Sequence, residues 1–218
     1  MRRTQGRAVL AAVVAAGALV ATAGSAYTDT DTDDANTTGG HHDGRRTAAV
    51  TGSAEFGVPF WPDKDVRSFK FDVHAKPYSD PKLPFAPKGL PTDAVGKVKI
   101  SHWVAKTGET IHATAKVDCL ATAPRTATFT AIVTKADEAV HDWIGRRVGW
   151  SVYDGGPRRG GKSRDRVSFS WNFSMDQNKQ GKWREAKLGT CVAPAAFGKV
   201  TRGDYQVRHA DLLPQPTS

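Results

Sequence analysis

Ile111-His112-Ala113-Thr114-Ala115-Lys116-Val117-Asp118-Cys119 alternates apolar and polar side chains, and a little further on Ala127, Phe129, Ala131 and Val133 alternate with Thr126, Thr128 and Thr130. Successive side chains of an extended chain point to opposite faces, so a two-residue period places one face in a core and the other in water. The same rhythm recurs in Phe69, Phe71 and Val73 against Lys70, Asp72 and His74, and in Val98 and Ile100 against Lys97, Lys99 and Ser101. It returns in Val148, Trp150 and Val152, and in Val167, Phe169, Trp171 and Phe173 against Ser168, Ser170 and Asn172. Six such runs predict an all-β domain of antiparallel sheet around one core. A shorter first strand near Val50 to Phe56 and a last one at Asp204 to Arg208 bring the expectation to about 7–8 strands, as a sandwich or an open barrel. No stretch carries a long helical stripe. A single turn at Lys135 to Trp143 is the best helical candidate, and the stretches Pro77 to Pro91 and Gly155 to Gly161 read as loops.

Outside this core the composition changes. Arg2, Arg3 and Arg7 precede an uncharged apolar run of fourteen residues, Ala8 to Ala21, and the small residues Gly24-Ser25-Ala26 follow. That order predicts an export signal over 1–26, cleaved after Ala26. The run is too short to span a bilayer, which takes about 20 apolar residues. Residues 27–48 hold almost nothing apolar and predict a disordered polar linker. The β domain is then expected over 49–213, with a C-terminal tail at 214–218. No cysteine lies near the end of the apolar run, and Leu212-Leu213-Pro214-Gln215-Pro216-Thr217-Ser218 has no hydrophobic stretch behind it, so release outside the cell is expected.

Cys119 and Cys191 are the two cysteines of the chain. In an oxidising compartment they would bridge a loop of about 70 residues. The other reading, a thiol nucleophile, would want a neighbouring histidine to lower its pKa. Net charge is +9, and removal of the signal leaves 28 basic and 22 acidic side chains, +6. A modest positive charge suits polyanion binding and solubility equally.

A resemblance adds to this. Lys116-Val117-Asp118-Cys119-Leu120, Ala127 to Val133, Gly145-Arg146-Arg147-Val148-Gly149 and Val152-Tyr153-Asp154-Gly155-Gly156 form its first part, with Asp165-Arg166-Val167-Ser168-Phe169-Ser170-Trp171 after an insertion. Cys191, Phe197-Gly198-Lys199-Val200 and Gly203-Asp204-Tyr205 complete it. The pattern resembles a group of secreted actinobacterial proteins that carry the label "repetin". These share nothing with the vertebrate epidermal protein of that name, since no EF-hand loop or tandem repeat occurs here. The resemblance implies secretion, an all-β domain and a Cys119–Cys191 pair, and it transfers no catalytic residue. The loop Pro157-Arg158-Arg159-Gly160-Gly161-Lys162 is longer and more basic than the group's pattern.

Catalytic signatures are sparse. No Gly-x-Ser-x-Gly, His-Glu-x-x-His or zinc-type cysteine and histidine spacing occurs. Glu109, Asp118 and Asp154 are candidate carboxyls for glycoside hydrolysis, though Asp154-Gly155-Gly156 reads better as a turn. His74 and His112 fall on polar strand faces, whereas His102 continues the apolar side of its run. A zinc or copper site would need two of them on neighbouring strands. His41-His42-Asp43 sits in the polar linker, where a metal would first have to order the chain. No metal or other cofactor is therefore expected. The sharpest local feature is basic: Arg158, Arg159, Lys162, Arg164 and Arg166 lie within nine residues, with Arg146 and Arg147 one strand earlier. Such a cluster would grip an anionic envelope or extracellular polymer, or else keep a sheet edge from pairing. It shows no aromatic interleaving of the kind that reads nucleic acid. Trp61, Trp143 and Trp183 lack clean periodicity and would either stack on sugar rings or pack as lids, while Trp150 and Trp171 are expected in the core. The sequence thus predicts an exported, non-enzymatic β domain, with a hydrolase of unfamiliar site as the alternative.

Overall fold

The structure is a computed structural model that describes residues 47–217 apart from positions 62, 82–83, 159 and 172–174. The predicted export signal, the linker up to residue 46 with its His41-His42-Asp43 cluster, Arg159, Asn172 and Phe173 lie outside the described residues. Among the described residues, no helix is long and apolar enough to cross a membrane.

The chain is all-β. Eight strands close into one antiparallel barrel, and a small hairpin stands apart from it. In chain order the strands are β1 (Ala49–Phe56), β2 (Val66–Ala75), β3 (Ala94–Val104), β4 (Glu109–Ala123), β5 (Thr126–Ala136), β6 (Arg147–Tyr153), β7 (Arg166–Phe169), β8 (Met175–Gln177), β9 (Trp183–Glu185) and β10 (Gly198–Arg208). Around the barrel the order is β1-β10-β7-β6-β5-β4-β3-β2, and β8 pairs only with β9. Of the two arrangements left open by the periodicity, the sheet takes the barrel and closes it, because β1 pairs with β10 along its whole length. Closure removes the free edges that an open sheet must protect. The predicted helical turn is a 3-10 turn, Glu138–Trp143, between β5 and β6.

An eight-stranded barrel is just wide enough for side chains to fill. Here aromatics do most of the filling: Phe69, Phe71, Phe129, Trp150 and Tyr205 meet ring to ring across the interior. The Tyr205 hydroxyl donates to the Phe69 carbonyl at 3.1 Å. Its burial pushes the phenol well above its ordinary pKa.

Two readings of the periodicity need correcting. Cys119 does not share a face with Val117. The register between β4 and β5 shifts between Val117 and Cys119, so Leu120, opposite Phe129, takes the inward phase. A bulge inserts one residue and so reverses the side-chain phase beyond it. Cys119 thereby turns outward and bonds to Cys191.

The outer faces of β5, β6 and β7 are also not wet. Thr130, Ser151, Ser168 and Ser170 are buried, because the segment after β9 runs back over them as a strap. Ser168 Oγ donates to the Pro194 carbonyl at 2.6 Å, and the Cys191 N–H donates to Thr130 Oγ1 at 3.1 Å. The strap passes so close over β6 that a Cβ at Gly149 would collide with the Val192 carbonyl. Hydroxyls suit this layer because each can bond locally once water is gone.

Candidate functional site

The site lies at the end of the barrel where β1 leaves and β2 enters. Inward phase on β2 runs Phe71, Phe69 and then Arg67, and on β3 it runs Val98, Ile100 and then His102. Arg67 and His102 are register partners, as are Phe69 and Ile100. The last rung of the inner face is therefore a charged and titratable pair standing directly above an apolar one.

The loop entering β2 supplies the counter-charges. Arg67 makes a two-point contact with Asp63, its Nη1 lying 3.0 Å from Oδ1 and its Nη2 reaching Oδ2. Asp65 Oδ2 lies 2.7 Å from His102 Nε2 and 3.3 Å from Arg67 Nη2, while its Oδ1 accepts the Ala105 N–H at 2.9 Å. Hydrogen bonding to Arg67 holds the Asp63 carboxyl below its ordinary pKa. The Ala105 N–H, with His102 adding to it, does the same for Asp65. Both groups are carboxylates near neutral pH. Neither can serve there as the protonated acid that a two-carboxyl hydrolysis requires.

An ionised carboxylate only accepts, so the His102 nitrogen facing Asp65 must carry a proton. In the neutral ring Nδ1 is then the bare, accepting nitrogen.

Above Phe69 and Ile100 this rung opens into a cavity of about 370 Å³. Four aromatic side chains stand in its walls: Trp61 from the β1–β2 loop, Trp143 from the 3-10 turn, and Phe169 and Trp171 from the end of β7 and just beyond it. Trp143 and Trp171 meet edge to face with ring centroids 4.0 Å apart. Trp61 is 60% exposed and stands at the rim. A concave apolar site with a few convergent polar groups is the usual form of a small-molecule pocket.

The residues singled out from the sequence fall elsewhere, with three exceptions. Arg146 and Arg147 sit at the start of β6, at the pocket end of the barrel, and both are engaged. Arg146 pairs with Asp142 at 2.6 Å and Glu185 at 3.1 Å. Arg147 bonds Asp118 at 2.9 Å and the Leu188 carbonyl at 3.0 Å, fastening the strap. Arg158, Lys162, Arg164 and Arg166 lie at the other end of β6, roughly 20 Å away along the seven residues of that strand. The structure does not bring the two groups together.

Asp118 is held by Arg147 and Thr130, and Asp154 accepts the Gly156 and Val207 N–H groups, a turn role. Glu109 opens β4 on the surface, so the three candidate carboxyls do not converge. His74, His102 and His112 each face a different carboxylate, Asp72, Asp65 and Asp137. Trp183 lies on the exposed hairpin. Only His102, Trp61 and Trp143 among the flagged residues join Trp171 in the pocket. Arg67, Asp63 and Asp65 were missed. The signal for Arg67 was available, since stepping the Phe69-Phe71-Val73 phase back by two residues lands on it.

Fold and site together define a closed eight-stranded antiparallel barrel with an aromatic pocket at one mouth and a carboxylate-buttressed histidine in its wall. No family model, curated protein or solved structure matches the chain.

Proposed function

We propose that this is an exported barrel protein that binds a small, largely apolar ligand at its pocket mouth. The observation that carries the reading is the convergence of Arg67, His102 and Asp65 on an aromatic cavity of about 370 Å³. That volume falls within the range of about 300–1,000 Å³ typical of small-ligand sites. Export is supported by the predicted signal over 1–26 and by the cysteine bridge, which suits an oxidising compartment. The resemblance to the repetin-labelled group agrees with export and supplies no activity. Titration with the neutral fluorophore N-phenyl-1-naphthylamine should give saturable, one-to-one binding. Val58→Trp, which fills the cavity from its wall, should abolish that binding while the far-ultraviolet dichroism stays unchanged. Binding that never saturates, or that survives the filling variant, refutes the proposal.

A second reading concerns the far end of β6. Arg158, Lys162, Arg164 and Arg166 are exposed there, and no carboxylate pairs with them among the described residues. Such a loop would hold an anionic envelope or extracellular polymer through charge. On a heparin column, replacing Arg158, Lys162 and Arg164 by Ala should lower the eluting salt concentration clearly. Replacing Arg146 by Ala should lower it little, because that guanidinium is already engaged. Equal shifts from the two ends would reject the loop as the contact.

A further inference from the structure

We infer that the pocket selects a neutral aromatic ligand bearing a hydroxyl, and that the ligand hydroxyl donates to Nδ1 of His102. The inference rests on the pocket reading above and names the chemical class that would fill it.

Most polar wall groups are already engaged with one another. Asp63 is taken up by Arg67. Asp65 receives the Ala105 N–H, His102 Nε2 and Arg67 Nη2. Both carboxylates are thus well supplied with donors and hold little attraction for a ligand cation. The Arg67 guanidinium faces those same carboxylates, so the rim carries two negative charges against one positive while His102 is neutral. An anionic ligand would meet net repulsion. The indoles of Trp61, Trp143 and Trp171 can only donate, so among the wall side chains the acceptor that remains is Nδ1 of His102. Among the described residues the ring's one hydrogen bond is that to Asp65, and its inward phase sets it directly above Ile100.

A single open acceptor beside aromatic walls asks for one donor. A saccharide bears a hydroxyl on nearly every carbon, and most of these would lose water here without a replacement partner. A flat ring with a single hydroxyl loses little. Aromatic walls add edge and face contacts that an aliphatic ligand would not match. Asp65 acts as a positioning residue: it fixes the tautomer by accepting from Nε2, as carboxylates do behind histidines in other sites.

The test compares three naphthalenes of similar shape by calorimetry and equilibrium dialysis on the intact protein. 2-Naphthol, a donor, should bind about tenfold more tightly than 2-methoxynaphthalene, which only accepts. 2-Naphthalenesulfonate should bind more weakly than 2-naphthol. His102→Phe should bring the naphthol and methoxy affinities together. Nitrogen-15 shifts of the His102 ring in the wild-type protein need no variant at all. They should show a protonated Nε2 and a bare Nδ1 that moves when 2-naphthol binds. Asp65→Asn should mix the two tautomers, which a merely structural loop contact would not do. Equal naphthol and methoxy affinities, or an unmoved Nδ1, overturn the inference and leave the pocket reading standing. Failure of all three probes to bind defeats both.

Discussion

The double variant Cys119→Ser/Cys191→Ser is expected to lose about 4 kcal/mol of stability, the chain-entropy value for a loop of this length. The bridge spans a sequence separation of 72 residues. That loop includes β5 to β9 and the first half of the strap, so the unfolded chain regains much freedom when it opens. In the folded state the same bond anchors a segment with few other attachments. Cys191 reaches Thr130, and Arg147 reaches the Leu188 carbonyl, but the strap has no strand pairing to β5 or β6. Urea denaturation should therefore show a lower midpoint. The slope should rise as well, because an uncrosslinked denatured state exposes more surface. Amide exchange at Cys191 should quicken before global unfolding, since its N–H bond belongs to the strap. A loss under about 1 kcal/mol would mean that the strap is held by its hydroxyl contacts alone.

The strap also marks where the sequence stopped being readable. Alternation in Ile111 to Cys119 and Ala127 to Val133 does report strands, and every apolar phase read from β2, β3, β5 and β6 is buried. Periodicity is a local property, however, and says nothing of what later covers the other face. Thr130 and Ser168 looked like solvent-facing residues because hydroxyls are equally at home in water and under a hydrogen-bonding strap. The phase reversal at Asp118 was invisible for a related reason. A bulge is defined by the partner strand, and Val117-Asp118-Cys119 reads as ordinary alternation by itself.

The site was half legible on the same terms. His102 lay visibly on the inward phase of its run. Arg67 lay on it too, but a charged residue at an inward position ends a hydrophobic pattern and so falls outside the strand as read. Only the register, which sets Arg67 opposite His102, shows that the two ends form one rung. Asp63 and Asp65 come from a loop without period, and their role depends on the chain folding back over the mouth. Barrel closure through β1 and β10 links segments some 150 residues apart, which no local pattern can announce.

Trp150→Ala is expected to cost about 3–5 kcal/mol, the range for removing a large buried aromatic. Trp150 is fully buried, stacked on Phe129 with centroids 5.7 Å apart and set edge to face against Phe69 at 5.8 Å. A barrel is a poor place to heal such a hole. Its radius is set by eight hydrogen-bonded strands, so the walls cannot collapse inward as packed helices can. Trp150→Phe isolates the volume effect. Among the described residues the indole Nε1 has no hydrogen-bond partner, so the smaller ring forfeits no bond there and its loss should stay on the order of 1–2 kcal/mol. Chemical denaturation of both variants checks the pair. Comparable losses for Phe and Ala would show that the indole nitrogen, rather than the filled volume, is what the interior needs. The consequence reaches the mouth as well, because Phe69 leans on Trp150 from one side and floors the pocket on the other. A hole beneath that ring gives it room to tilt down, so Trp150→Ala should also weaken 2-naphthol binding under conditions where the barrel remains folded.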